Sequence, residues 1–385
     1  MSGYLARKVD DINSGQQLSP GRNQAFRMGR ASSPAQLSSA LRSAIIGQDE
    51  AIDSVVRALT IAAAGIGDPR RPIASLLFVG PTGVGKTELA RRLAAEITGD
   101  ADKLCRIDMN TLAQEHYAAS LSGAPPGYSG AKEQFTLFDR ELVEGNTSRP
   151  GIVLFDEVEK AHTTVLRSLL QILDSGTLRL AAGNSTIDFR NAIVLLTSNL
   201  GSAEIAAHHR ARSRGWRRRL PMPGSLRRDA GSDAVDRAVE EFFDPELYNR
   251  FDEIVRFDPI GAQVAAAIVD VELRRLTAQL AARQIRWEPD DPLRSHLARI
   301  GFDPVYGARD LARTLRMHLH APLAEAIVSW DREPGTALRM RTSVDSGKIS
   351  VAIEPVSAEH PSAEHPSAEH LSGATNPTPV NGQAR

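Results

Sequence analysis

Gly80-Pro81-Thr82-Gly83-Val84-Gly85-Lys86-Thr87 carries two glycines five residues apart followed by a lysine and a hydroxyl. Residues of those types at that spacing make a cradle for a triphosphate. The glycines let the main chain curl with its N–H groups inward, the lysine reaches the outer phosphates and the hydroxyl ligates a divalent cation. Lys86 stands out further because lysine occurs only at positions 8, 86, 103, 132, 160 and 348, the other basic residues being arginine. Asp156-Glu157 closes the apolar run Ile152-Val153-Leu154-Phe155. An aspartate there would hold Mg2+ beside the phosphates, and a glutamate next to it would polarise the attacking water. Asn199, at the end of another apolar run from Ile193 to Leu196, would meet the γ-phosphate or that water. Each feature has a plainer alternative: a Gly-rich turn, a helix cap at the acids, an Asx turn at Asn199. Their joint presence favours ATP hydrolysis.

The elements that must position these residues are also readable. Ser75-Leu76-Leu77-Phe78-Val79 precedes the loop as a short buried strand, and Leu89, Leu93 and Ile97 mark one face of a following helix. The loop therefore sits at a helix N-terminus, where unpaired N–H groups and the helix dipole favour phosphate. Strand and helix patterns alternate from about 35 to 258, which predicts an α/β fold: a parallel sheet sandwiched by helices. Leu166, Leu169, Leu170 and Leu173 are expected as a core stripe. Residues 259–355 read as a smaller, mainly helical domain, with Ile268, Val271, Leu276 and Leu280 at helical spacing. Helices are expected over roughly 292–330, then a hairpin formed by Ala337 to Met340 and Ile349 to Ile353. Residues 1–34 and 356–385 read as disordered tails, the second holding the repeat Ser357-Ala358-Glu359-His360-Pro361.

The 385 residues include a single cysteine, Cys105, so no internal disulfide is possible. The apolar runs are strand-sized and no signal-peptide core is read, so the expected location is the cytoplasm, with no membrane partner. A net charge of −1 exerts no global pull toward nucleic acid. Residues 205–228 are the local exception, with eight arginines, Trp216 and no acid. They are read as a solvated insertion, or as a contact for acidic protein or nucleic acid.

Six further segments appear in order between about 36 and 355: Ile46 to Ala51, Gly123 to Tyr128, Asp156 to His162, Thr197 to Gly201, Pro245 to Glu253 and Gly301 to Arg309. With the phosphate loop, they resemble an AAA+ ATPase of the Clp family, most like the second ATPase module of the ClpA/ClpB unfoldases. That resemblance implies a P-loop NTPase module followed by a small, mainly helical lid domain with a β-hairpin. It implies ATP and Mg2+ as cofactors, Asn199 as the first sensor, Arg250 as the arginine finger, Arg309 as the second sensor, and Ile46 and Gly47 against the adenine. An arginine finger supplied by a neighbour is worth ~10³ to 10⁵ in rate, and such a finger implies a closed ring. The family implies a homo-hexamer that threads unfolded or aggregated protein past Tyr128, a pore-loop aromatic. Here the sequence departs from the family: Ser129 follows Tyr128 where a small aliphatic residue is usual. A single ATPase module is read, without an amino-terminal Clp domain, a coiled-coil middle domain or a peptidase-docking tripeptide. A nucleic-acid-stimulated motor and an ATP-switched scaffold without threading are the competing functions.

Overall fold

Short, fully buried apolar runs form the central strands, and apolar residues at helical spacing form the helices that cover them. The computed structural model describes residues 29, 31, 33–114, 137–146, 149–180, 186–202, 230–302, 308–330 and 337–355, with the backbone alone at 230–234 and 308–310. In chain order the elements are α1 (Pro34–Ala44), α2 (Asp49–Ala63), β1 (Ala74–Val79), α3 (Lys86–Thr98), β2 (Cys105–Asp108), α4 (Arg140–Glu144) and β3 (Gly151–Asp156). α5 (Thr163–Ser175), β4 (Thr177–Arg179), β5 (Thr186–Asp188), β6 (Ala192–Ser198), α6 (Ala230–Phe242), α7 (Pro245–Tyr248) and β7 (Glu253–Arg256) complete the first part. Then come α8 (Ala262–Ala281), β8 (Ile285–Trp287), α9 (Asp291–Gly301), α10 (Ala308–Leu315), α11 (Ala321–Ser329), β9 (Leu338–Asp345) and β10 (Lys348–Pro355).

Five strands form one parallel sheet in the order β2-β3-β6-β1-β7. β1, β3 and β6 are buried at every position, the pattern of central strands covered on both faces. Successive side chains point to opposite faces, and the two cores divide accordingly. Leu76, Phe78, Ile152, Leu154, Ile193 and Leu195 join α1, α2 and α3 on one face. Leu77, Val79, Val153, Phe155, Val194 and Leu196 join α5 and β4/β5 on the other. Truncating a leucine buried this completely costs about 2–5 kcal/mol. Crossovers between parallel neighbours carry every strand's C-terminal end to one edge of the sheet, and that edge receives the phosphate loop.

The core stripe of α5 is Val165, Leu169, Ile172 and Leu173. Leu166 and Leu170, expected in the stripe, are only partly buried, because a leucine one position off the helical face reaches the rim of the contact. α8 buries Ala265, Val269, Leu273 and Leu280; of the four residues read at helical spacing Leu280 is buried, Ile268 and Leu276 pack at the edge of the core, and Val271 lies off the stripe. A third core gathers Trp287, Leu297, Leu311, Leu319, Leu323 and Met340 around a small sheet ordered β10-β9-β8. Its hairpin is longer than the sequence pattern implied, and it turns at Ser346 and Gly347 with φ of 50° and 83°, the left-handed pair that fits hairpin twist. β8, three residues long and parallel to β9, was too short to be read from periodicity.

Candidate active site

The strand-to-helix link between β1 and α3 is tight because Gly80 runs at φ +147° and a Cβ there would lie 2.5 Å from the Phe257 carbonyl oxygen. Only glycine accepts both that dihedral and that approach. α3 begins at Lys86, whose side chain is buried at 8% exposure. Its ammonium donates to the carbonyls of Gly80 at 2.5 Å and Pro81 at 2.8 Å, and to Asn199 Oδ1 at 2.9 Å. Thr82 Oγ1 donates to the same amide oxygen at 3.2 Å. β6 lies between β1 and β3 in the sheet, so its C-terminal tip, with Asn199, stands between the loop and the acids.

Asp156 ends β3 at 6% exposure, and both its oxygens are engaged. Oδ1 accepts from Thr197 Oγ1 at 2.5 Å and from Thr87 Oγ1 at 3.4 Å. Oδ2 accepts from the Arg106 guanidinium, Nε at 3.0 Å and Nη2 at 2.6 Å. Thr197 in turn accepts from the backbone N–H of Glu157 at 2.9 Å. Glu157 adopts φ 60°, a left-handed conformation that costs a non-glycine residue roughly 1–3 kcal/mol and clusters at functional sites. The cap of α5 is His162, which accepts from the N–H of Thr164 at 3.3 Å, so Glu157 does not perform the capping role that was its plainer alternative. A hydroxyl and a carboxylate this close form a hard oxygen donor set. Mg2+ takes such ligands, one or two from protein and the rest from phosphate and water, and Thr87 with Asp156 fits it.

Ile46 and Gly47 lie in the α1–α2 link. Gly47, at φ +74°, packs so closely on Val264 of α8 that a Cβ would come within 2.6 Å of its methyl. Gln48 ties this link to the loop and to the approach to α8, donating to the carbonyls of Val84 at 3.3 Å and Asp258 at 2.9 Å and accepting from the Asp258 N–H at 2.9 Å. The link is therefore pinned where the phosphate loop and α8 meet.

Arg250 is not gathered with the loop. Its Nε lies 2.8 Å from Asp174 Oδ1 at the end of α5, out of line for a hydrogen bond. The segment is held by Arg71, which donates to the carbonyls of Arg250 and, at 3.0 Å, Leu173, and sits 3.6 Å from Asp252 Oδ1. Asp252 exchanges two 2.8 Å hydrogen bonds with the backbone of Ser75. Burial raises the pKa of its carboxyl, against the opposing pull of Arg71 and the Ser75 N–H. Ser75 is at the start of β1 and the loop follows its end, so five residues at about 3.3 Å each place Arg250's anchor roughly 17 Å from Gly80.

Arg309 belongs to α10, whose backbone alone is described there; Tyr128, the arginine-rich stretch 205–228 and the repeat after 356 lie outside the described residues. Arg106, which touches the site, was not read from the sequence, and Thr197 and Glu159 fell within named segments without a role of their own. Arg106 could have been noticed as an exposed arginine in an alternating strand, Cys105-Arg106-Ile107-Asp108.

Residues 71–254 match the family described as AAA domain (Cdc48 subfamily), and residues 260–340 match the C-terminal, D2-small domain, of ClpB protein. An ATP-dependent protease ATP-binding subunit-like protein of Rhodococcus erythropolis is 54% identical over 320 residues, 82% of this chain and 90% of its own. The chain belongs to the Clp family of AAA+ ATPases. Another family member, the ATP-dependent protease ATP-binding subunit-like protein AmiB of Pseudomonas aeruginosa, is 47% identical and matched over 81% of its length. The chaperone protein ClpB of Vibrio cholerae is 41% identical over 310 residues, 80% of this chain but 34% of that longer one. Among solved structures, a closed-state cryo-EM reconstruction of Hsp104 with ATPγS and FITC casein superposes with a TM-score of 0.66 at 30% identity, over 83% of this chain and 51% of that one. Membership of the Clp family makes the chain an ATP-hydrolysing enzyme with the P-loop NTPase fold. Among the described residues no helix is long and apolar enough to cross a membrane.

Proposed function

We propose that this Clp-family ATPase unfolds or remodels protein substrates, hydrolysing Mg-ATP in a cytoplasmic homo-hexameric ring. The observation that carries the reading is the separation of Arg250 from its own chain's phosphate loop, while Lys86, Thr87, Asp156 and Asn199 converge on that loop. A guanidinium beside Asp174, on a segment anchored at the far end of β1 from its own loop, is useful to phosphoryl transfer only in a neighbour's site, and head-to-tail contacts of that kind close into rings.

In this reading residues Gly80 to Gly85 wrap the phosphates with backbone N–H groups, Lys86 leaves its carbonyl partners for the outer phosphates, and Ile46 and Gly47 border the adenine. Thr87 and Asp156 would hold Mg2+, which would supply charge neutralisation for the transferring phosphoryl group. Arg106 and Thr197 keep the Asp156 carboxylate turned toward Thr87. Glu157 accepts a proton from the attacking water. Asn199 presents an amide oxygen to the loop side, an acceptor that suits a water proton and not a phosphate oxygen. Arg250 serves the adjacent subunit, Arg309 reads the nucleotide from the lid domain, and Tyr128 grips an extended chain. The chaperone names carried by ClpB relatives, and the casein in the Hsp104 reconstruction, support a polypeptide substrate.

Unfolding of a labelled globular protein by the assembled ATPase tests the proposal. Tyr128→Ala should leave basal hydrolysis near the parental rate and lose most protein-stimulated hydrolysis and unfolding, whereas replacing the arginines from Arg210 to Arg219 should alter neither. Dispensable Tyr128, with arginines required for stimulation by DNA or RNA, would assign the protein to nucleic-acid remodelling instead.

A further inference from the structure

Glu159 follows the acid pair in the short 3₁₀ turn Val158–Lys160. Its Oε1 accepts two hydrogen bonds from one residue, the backbone N–H of Asn199 at 3.2 Å and the side-chain Nδ2 at 3.0 Å. Its Oε2 is buried and has no hydrogen-bond partner among the described residues. The ordered part of the carboxylate is therefore the Oε1 side, where it grips Asn199 twice.

The two sides of the Asn199 amide face groups of opposite and unambiguous character. A carboxylate only accepts and an ammonium only donates. With Glu159 on one side and Lys86 and Thr82 on the other, the amide has one possible orientation, Nδ2 toward Glu159 and Oδ1 toward the loop. The terminal torsion of asparagine is otherwise soft and nearly two-fold. When Lys86 turns to phosphate, the Thr82 hydroxyl that remains can accept as well as donate, so only Glu159 still distinguishes the two faces of the amide. Without it Asn199 would rotate and donate to a phosphate oxygen, binding the ground state and abandoning the water.

We propose that Glu159 is a positioning residue for ATP hydrolysis, acting through Asn199 by holding its amide oxygen toward the attacking water. This rests on the nucleotide site proposed above. Parent, Glu159→Ala, Asn199→Ala and the double variant form a cycle, read by kcat and KM for ATP and by binding of N-methylanthraniloyl-ADP. Glu159→Ala should lower kcat by about 10- to 100-fold, the loss met when an outer partner of a metal ligand is removed, with ADP affinity unchanged. The double variant should be no slower than Asn199→Ala alone, since a residue acting only through another adds nothing once that one is gone. Glu159→Gln, which keeps an acceptor oxygen, should recover most of the rate. Should alanine unfold the protein, Glu159→Met keeps the volume without the acceptor and repeats the cycle. Losses that multiply in the double variant, or a matching loss of ADP affinity, would overturn the role of Glu159 while leaving Asn199 in place. Asn199→Ala at the parental rate would overturn both readings.

Discussion

In the proposed mechanism Lys86 and Glu157 stand at the two ends of one chemical task, and their environments differ. The lysine is buried among carbonyl oxygens that provide for its charge, and in that mechanism it exchanges them for phosphate. The glutamate is set in a left-handed turn after β3, its N–H tied to Thr197. Lys86→Ala should abolish tight ATP binding. Glu157→Gln should bind ATP and retain it, with hydrolysis reduced by about 10²- to 10⁴-fold, the usual contribution of a general base. Filter binding of labelled ATP alongside phosphate release separates the two, and parental turnover in Glu157→Gln would remove the residue from the chemistry.

At the scale of elements, the third core carries a device the nucleotide site does not use. His296 on α9 is buried, its Nδ1 accepting from Arg299 at 3.1 Å. Burial first, then the positive charges of Arg299 and His318, hold its imidazole below the ordinary value of 6.5, and burial does the same for His320 on the preceding side of α11. The fold therefore favours the neutral rings. Below about pH 6.5 the unfolded chain takes up protons that the fold resists, so stability falls with pH until the depressed folded values are passed. Thermal unfolding of the parent should weaken between pH 7.5 and 5. His296→Gln should weaken less over the same interval, and an identical slope would exclude His296 as a contributor.

For the whole molecule the separation between Arg250 and its own loop is the decisive dimension. β1 lies between them, and Arg71 anchors the Arg250 segment by binding its carbonyl together with that of Leu173. Arg250→Ala should fold and bind nucleotide while hydrolysing slowly. Mixed with Lys86→Ala subunits it should regain part of the activity, because some interfaces then join an intact Arg250 to an intact Lys86. Full turnover by a strictly monomeric Arg250→Ala protein would rule out a shared site.

Residue types and spacing along the chain determined the phosphate loop, the acid pair, the buried strands that end in them and the change to a helical second part, because each depends on neighbours within about ten positions. Helix faces were legible only to within one or two positions, as Leu166 and Val271 show, since periodicity locates a stripe but the partner surface decides its centre. The strand order β2-β3-β6-β1-β7 was not legible at all. Central strands buried on both faces are continuous apolar runs, and nothing in such a run identifies its neighbour. Only once β6 is seated between β1 and β3 does Asn199 meet Lys86 on one side and Glu159 on the other, and only once β2 lies beside β3 does Arg106 reach Asp156. These contacts join residues 40 to 113 positions apart, so it was the packing of the sheet, and not any local pattern, that turned a set of recognisable residues into a site.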